Sequence, residues 1–462
     1  METPIEVKKM LSRQAILTLM VLSFAQFVIA LDYSIVYVAL PEITRNLTLS
    51  NAHAQWVVSA YALFFAGFLL LGGRLCDRYG AGHIFLIATS IFGLASLLGG
   101  LAPNGELLML ARALQGISAA AMQPAIISLI SSRFAEGSER ARALSIWGAV
   151  GASGLVAGVV LGGLFTVISW RLVFYVNVPL VIICVLAGFS SMRQKNDTFR
   201  RQARIPLLAS LIGTAAVLSL VLLLTLVTEQ QQYQEIIPLL SLIVAVLIVA
   251  FLVTERISPR PLIERDVRPI RTLRIGCAAS AFYMAGVGSE FFLVTLLLQD
   301  AYDKNALTTG MMFLPLSITI ILGNMLAGRL IGRFRANKVL FSGFIIGGLG
   351  IALIAVTLES TLNQSYLYAG LIISGLGHGL IYTSKFVVGI RGIPEDKQGA
   401  ASSLMVTAQY GSGAISLALL VIILSLTQGM AAYKLSFALL VFFCLMGAGV
   451  ALLDKKEINH AQ

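Results

Sequence analysis

Three ionisable side chains stand inside long apolar runs, where such groups are rare. Asp32 lies past the middle of the run that starts near Ala15, Arg112 a few residues into the run 106–132, and Glu290 in the run 275–298, just after Gly286-Val287-Gly288-Ser289. A charge in a membrane-spanning segment is costly and faces the bundle interior or a water-filled cavity. Desolvation disfavours the ionised form of a carboxylic acid, so an acid at such depth can take up and release a proton near neutral pH. A cationic solute would favour the deprotonated form. Proton and cation would then compete for one site, which is the minimum that exchange needs. Arginine keeps its proton. By approaching Asp32, Arg112 would hold the carboxylate charged, and by withdrawing it would release that hold, linking protonation to conformation. For each residue a blander reading stands beside this one: a locked ion pair for Asp32 and Arg112, a satisfied helix–helix contact for Glu290.

The elements that must position these groups are set by composition. Of 462 residues, 58% are apolar and 12% charged, against roughly 25% charged in ordinary soluble proteins. A water-soluble fold cannot hide that much apolar side chain, which excludes disorder and a soluble enzyme. The net charge of +11 comes from basic residues scattered through short loops, a pattern of membrane orientation and not of nucleic-acid binding. Cys76, Cys184, Cys277 and Cys444 have no paired spacing, so neither a disulfide framework nor a zinc site is expected. Lys8 and Lys9 precede an apolar run without a cleavage site, which reads as an uncleaved first helix.

A spanning helix needs ~20 predominantly apolar residues. Such stretches fall at 15–40, 55–76, 84–102, 106–132, 143–168, 172–192, 205–227, 236–254, 275–298, 308–330, 339–358, 365–388, 400–427 and 433–453. The seventh and eighth are the least distinct and would also suit a re-entrant pair. With both termini cytoplasmic, only Arg45, Arg171, Lys304 and Lys434 fall in outer loops and Arg112 within a span; the other Lys and Arg lie inside. Losing one early helix would reverse every later loop, so the asymmetry supports an even count. Gly73-Arg74-Leu75-Cys76-Asp77-Arg78-Tyr79-Gly80-Ala81-Gly82-His83 after the second span matches Gly328-Arg329-Leu330-Ile331-Gly332-Arg333-Phe334-Arg335-Ala336-Asn337-Lys338 after the tenth at the Gly, Arg, Leu, Arg and Ala positions. Repeated halves around a central site are a recurring transporter plan. The expected division is an N-terminal six-helix bundle over 1–192, a linker with two inserted helices over 193–271, and a C-terminal six-helix bundle over 272–462.

Several ordered elements then carry a resemblance. Leu31-Asp32-Tyr33-Ser34-Ile35-Val36-Tyr37-Val38-Ala39-Leu40-Pro41 is close to L-D-x-T-x-V-N-V-A-L-P, with Ser34 for Thr and Tyr37 for Asn. Gly73 to Gly80 fits G-x-x-x-D-R-x-G, without the basic residues that usually follow. Arg112 to Gly116 fits R-x-x-Q-G. Gly154, Gly158, Gly162 and Gly163 are similar to G-x-x-x-G-P-x-x-G-G, with Val159 for the proline. Trp170-Arg171, Phe174, Asn177 and Pro179 fit W-R-x-x-F-x-x-N-x-P. Together they resemble the major facilitator superfamily, in its fourteen-helix drug:proton antiporter branch. The resemblance covers nearly the whole chain and implies an all-α polytopic membrane protein: two six-helix bundles, two inserted helices, and N- and C-termini in the cytoplasm. It also implies that Asp32 and Arg112 take part in proton movement.

The remaining candidates fill out that expectation. Tyr37, Trp56, Tyr61 and Gln115 would line a substrate cavity with Asp32, while Phe282, Phe291 and Phe292 would give Glu290 an aromatic wall for a lipophilic cation. Gly148, Gly151, Gly154, Gly158 and Gly162 share one helix face and permit close backbone approach, expected against a partner in the other half as part of a gate. Gly73, Asp77, Arg78 and Gly80, with Glu139, Arg140 and Arg142, would form a cytoplasmic charge latch, asymmetric because Gly332 stands where a second aspartate would be. Lys385 reads as a snorkelling residue, and His378 as a conceivable proton relay. Gly-Lys never occurs, so no phosphate-binding loop of a self-contained ATP-driven pump is present. Glu136-Gly137-Ser138-Glu139-Arg140 spells the E-x-x-E-R of peptide symporters, but in a loop and not on the first helix. Scattered His53, His83, His378 and His460 form no ligand cluster, so no metal, cofactor or enzymatic activity is expected. The expected activity is proton-driven export of lipophilic, often cationic compounds by a monomer in a bacterial inner membrane, with protons and membrane lipids as its other partners and no nucleic acid. The alternative is a narrow proton-coupled transporter of one metabolite or peptide.

Overall fold

The computed structural model describes residues 13–49, 51–191, 207–227, 235–258, 261, 265, 267–304, 306–359, 362–427 and 429–453. Lys8, Lys9, Pro259, the linker 192–206 and His460 lie outside the described residues. The first half is α1 (Arg13–Asn46), α2 (Asn51–Tyr79), α3 (Ala81–Leu101), α4 (Gly105–Arg133), α5 (Ser138–Ile168), and the pair α6 (Leu172–Tyr175) and α7 (Asn177–Ser191). Two further helices follow, α8 (Leu207–Val227) and α9 (Ile236–Ile257). The second half runs through α10 (Arg271–Ala285), α11 (Glu290–Leu296), α12 (Ala306–Met312), α13 (Leu314–Ile331), α14 (Ala336–Val356), α15 (Gln364–Ile390), α16 (Gln398–Leu426) and α17 (Gly429–Leu452).

Local chemistry sets the helix ends. Asn104 caps α4 by accepting the Leu107 N–H at 3.0 Å, and Asn363 does the same for α15 at 3.4 Å from Tyr366, each satisfying an N–H that the helix leaves without a partner. Gly80 and Gly137 take φ of 85° and 111° immediately before α3 and α5, turns for which glycine carries no Cβ penalty. The expected ninth span is broken: α10 stops at Ala285, a tight turn covers Val287–Ser289, α11 begins at Glu290, and a wider π turn runs from Leu297 to Ala301. Gly286 and Gly288 allow the break, and it places Glu290 at the start of a new helix. α8 and α9, of 21 and 22 residues, pack on each other as two separate helices. At 1.5 Å per residue each is about 32 Å long, close to the thickness of a hydrocarbon core.

The halves meet along two seams, α5 against α13 and α2 against α16. At the end of the bundle that carries Asp77 the main chains come close. A Cβ at Gly73 would stand 2.6 Å from the Gly399 carbonyl and 2.7 Å from the Ser403 Cβ, and one at Gly328 would stand 2.8 Å from the Ser145 Cβ. Farther along the seams Phe65 meets Tyr410 edge-on at 4.9 Å, and Trp147 lies on Tyr382 at 5.4 Å. Toward the opposite end Tyr33 and Tyr37 remain 37% and 49% exposed although Asp32, beside them, is fully buried. The halves are therefore closed at the Asp77 end, with an aromatic-lined cleft facing away from it.

Candidate functional site

Asp32 is fully buried, and both of its oxygens accept hydrogen bonds from the protein. Oδ2 accepts from Arg112 Nη1 at 2.7 Å; Oδ1 accepts from Gln115 Nε2 at 2.8 Å and from Asn177 Nδ2 at 2.7 Å. Gln115 closes the ring, since its Oε1 accepts from Arg112 Nη1 at 2.8 Å and its Nε2 also donates to Ser96 Oγ at 2.8 Å. Arg112 Nε donates to the Val57 carbonyl at 3.1 Å, and the guanidinium lies 4.5 Å from the centre of the Tyr61 ring. The i, i+3 spacing of Arg112 and Gln115 puts both on one face of α4. α1 contributes Asp32, α2 the Val57 carbonyl and Tyr61, α3 Ser96, α4 both Arg112 and Gln115, and α7 Asn177. Charge-assisted hydrogen bonds of this kind are the strong ones, and burial would make a missing partner expensive.

Above this cluster the cleft is aromatic. Tyr33 meets Tyr37 at 5.5 Å and Tyr61 at 6.1 Å, and Tyr61 stacks on Phe65 at 6.0 Å. Trp56, next to Val57 on α2, is half-buried. Asp32, Arg112, Gln115, Tyr61 and Tyr37 are thus brought together.

Glu290 is fully buried in the second half. Its Oε1 accepts from Ser374 Oγ at 2.7 Å. Its Oε2 has no hydrogen-bond partner among the described residues and lies 3.8 Å from His378 Nε2. His378 Nδ1 pairs with Tyr283 Oη at 3.2 Å. Phe291 stands 5.8 Å from the His378 ring and 5.2 Å from Phe313. Phe282 stands 6.5 Å from Phe443 of α17 and packs with Phe291 and Phe292 on one apolar cluster.

Two expectations are corrected. Lys385 does not snorkel: it is fully buried, hydrogen-bonded to Gln409 Oε1, with Nζ 4.4, 4.9 and 4.8 Å from the ring centres of Tyr283, Tyr382 and Phe386. Its position near a helix end suggested an interfacial side chain, but α16 covers that face. The glycine row of α5 packs within its own half. A Cβ at Gly154 would meet the Phe27 carbonyl at 2.5 Å, at Gly158 the Leu31 carbonyl at 2.6 Å, and at Gly162 the Ile35 carbonyl at 3.0 Å, all on α1. In that row it is Gly148 that faces the other half, where a Cβ would stand 2.7 Å from Asn324 Oδ1 on α13.

The polar end of the seams is held by a charge and a helix terminus. Asp77 Oδ2 accepts the Ala400 N–H at 3.0 Å, in the first turn of α16, with Arg74 Nη1 at 3.9 Å. A carboxylate there satisfies an unpaired N–H and complements the helix dipole. Arg78 lies over Tyr79 at 5.0 Å. Arg140 donates to the Phe134 and Ser131 carbonyls at the end of α4, and Arg142 is exposed. Gly332 lies 3.5 Å, as an ideal Cβ, from the Ser138 side chain.

Sequence reasoning passed over Asn177, Ser96, Ser374, Tyr283 and Gln409 as partners of the buried charges. Asn177 carried a signal, being the Asn of the W-R-x-x-F-x-x-N-x-P element. Small hydroxyls such as Ser96 and Ser374 carried none.

Fold and site together define a helical membrane transporter: two bundles of spanning helices meeting at a polar, aromatic-lined centre. The chain belongs to the Major Facilitator Superfamily, which it matches across residues 22–417. It is 34% identical over 407 residues to a puromycin resistance protein of Streptomyces alboniger, covering 87% of this chain and 80% of that one. It is 32% identical to a lincomycin resistance protein of Streptomyces lincolnensis (89% and 84% covered) and 30% identical to the multidrug resistance protein Stp of Mycobacterium tuberculosis (87% and 74%). Its fold matches the proton:xylose symporter XylE with a TM-score of 0.70 at 12% identity, covering 97% of both chains, and the transporter FucP with 0.64 at 15% (94% and 99%).

Proposed function

We propose that this protein is a proton-coupled antiporter that exports lipophilic, often cationic compounds from the bacterial cytoplasm by alternating access. The observation that carries the reading is the sealed Asp32–Arg112–Gln115–Asn177 cluster at the foot of an aromatic cleft. The relatives' names, resistance to puromycin and lincomycin and multidrug resistance, support export of foreign compounds. The loop charges support an inner-membrane orientation with both termini and Asp77 in the cytoplasm, so the cleft described above faces outward. There Arg112 is paired with Asp32. Protonation of Asp32 from outside would dissolve its charge-assisted bonds and free Arg112, and the return to an inward-facing form would carry that proton across. Asp77 on the first turn of α16 acts as the cytoplasmic latch of the outward form. Glu290, whose Oε2 has no hydrogen-bond partner among the described residues, serves as the acid of the second half.

The test is transport in reconstituted vesicles with an imposed pH step and a panel of unrelated cationic dyes. The wild-type chain is expected to move several dyes against the proton flow, and Asp32→Asn to abolish the gradient-linked part while keeping the protein in the membrane. Gradient-driven exchange unchanged in Asp32→Asn would refute the role given to that residue. A response to one compound only would favour a narrow metabolite transporter.

A further inference from the structure

Lys385 is a fully buried basic side chain with no carboxylate partner among the described residues. Among the described residues its Nζ hydrogen-bonds Gln409 Oε1 and faces the rings of Tyr283, Tyr382 and Phe386. No carboxylate lies within ion-pair distance among the described residues; Glu290, the acid of this half, pairs with Ser374 and faces His378 instead. His378, Tyr382 and Lys385 follow one face of α15 at i, i+4 and i+7, so the lysine sits two turns closer to the Asp77 end than the Glu290 site. A desolvated ammonium is expensive unless paired, and three ring faces with one amide are a weaker set of partners than a carboxylate. A lysine needed only for packing would be better served by leucine or methionine here.

The walls of this cage belong to both seams. Trp147 of α5, in the first half, lies on Tyr382 and Phe386 at 5.4 and 5.6 Å. Tyr410, next to Gln409 on α16, meets Phe65 of α2 at 4.9 Å. Separating the halves at the Asp77 end would therefore remove the rings that cover Lys385 and loosen the helix that presents Gln409. In the closed form seen here the amide oxygen of Gln409 occupies the ammonium, and no space is left beside it.

Resting on the export reading above, we propose that Lys385 and Gln409 form an anion-recognising subsite. It takes the carboxylate, sulfonate or phosphate group of an amphiphilic solute when the Asp77 end is open, the surrounding rings taking the apolar body. On closure Gln409 replaces that group on Nζ, and the anion is expelled toward the cleft. With the acids Asp32 and Glu290 elsewhere in the centre, such a site extends the substrate range from cations to zwitterions.

The experiment uses the full chain in phosphatidylcholine vesicles with an imposed pH step and two dyes of one skeleton: rhodamine 6G, an esterified cation, and rhodamine B, which bears a free carboxylate. The wild-type chain is expected to move both. Lys385→Gln should lower rhodamine B transport at least about tenfold, the size of one charged hydrogen bond, and leave rhodamine 6G unchanged, while Lys385→Arg restores part of the difference. Gln409→Leu, which keeps the lysine, should lower both kcat and KM for rhodamine B alone, because release is slowed. Equal loss of both dyes in Lys385→Gln, no loss of either, or a wild-type chain that moves rhodamine 6G but not rhodamine B would overturn the subsite while leaving the export reading standing. Movement of neither dye by the wild-type chain would overturn both. If the Lys385→Gln effect arises only after phosphatidylglycerol is added, the anion held is a lipid headgroup, and the assignment to an exported solute fails.

Discussion

Asp32 in the first half engages both of its oxygens with three donors, one of them a guanidinium. Glu290 in the second half has a hydroxyl on one oxygen and an imidazole nitrogen at 3.8 Å from the other. Both acids are fully buried, so burial does not distinguish them; the completeness of their partners does. A buried carboxylate held by three donors on two helices is a joint whose partners must part together. A buried acid with one oxygen open can change protonation or partner without disturbing its helices. On the reading proposed above, the first half would hold the pair that moves as a unit and the second the group that responds locally.

The strongest way to break this contrast is Arg112→Met. It leaves Asp32 buried with two neutral donors and should destabilise the fold by about 3–5 kcal/mol, read as a lower unfolding temperature in detergent. Loss of only a few tenths would show that water reaches Asp32 and that the joint is not rigid. Asn177→Ala removes one of three donors to a charged acceptor, and a cost of about 1.5–3 kcal/mol is expected, again by thermal unfolding. A neutral outcome would leave Gln115 and Arg112 as the whole of the joint. The smallest effect is expected from Glu290→Gln, which retains a hydrogen-bond partner for Ser374 and leaves His378 beside a neutral group; its stability should stay within about 1 kcal/mol of the wild type. A loss as large as that of Arg112→Met would erase the difference between the halves.

The depth of Asp32 and Arg112 in apolar runs was enough to place them in the centre, because a membrane leaves a charged group few other positions. Gln115 came with Arg112 through the R-x-x-Q-G element. Asn177 lay within a recognised element but without an assigned bond, since its contact to Asp32 depends on how α7 leans on α1, a matter of tertiary packing. The same holds for the glycines of α5: a small-residue face announces a close neighbour but not which one, and α1, not the opposite half, fills it. Lys385 was misread because distance from a helix end says nothing about what stands beside that end. The break before Glu290 had a signal in Gly286 and Gly288, yet a run of apolar residues on either side reads as one span.

The inserted pair bears on how lipid meets the molecule. Leu218 of α8 fills the notch left by Gly67 on α2, where a Cβ would stand 2.5 Å from its side chain, and Leu70 and Ala209 pack with Leu404 of α16. α8 therefore leans on both sides of one seam at once. At that level lipid would meet α8 before the join behind it, so a solute dissolved in the membrane would find a wall on this flank.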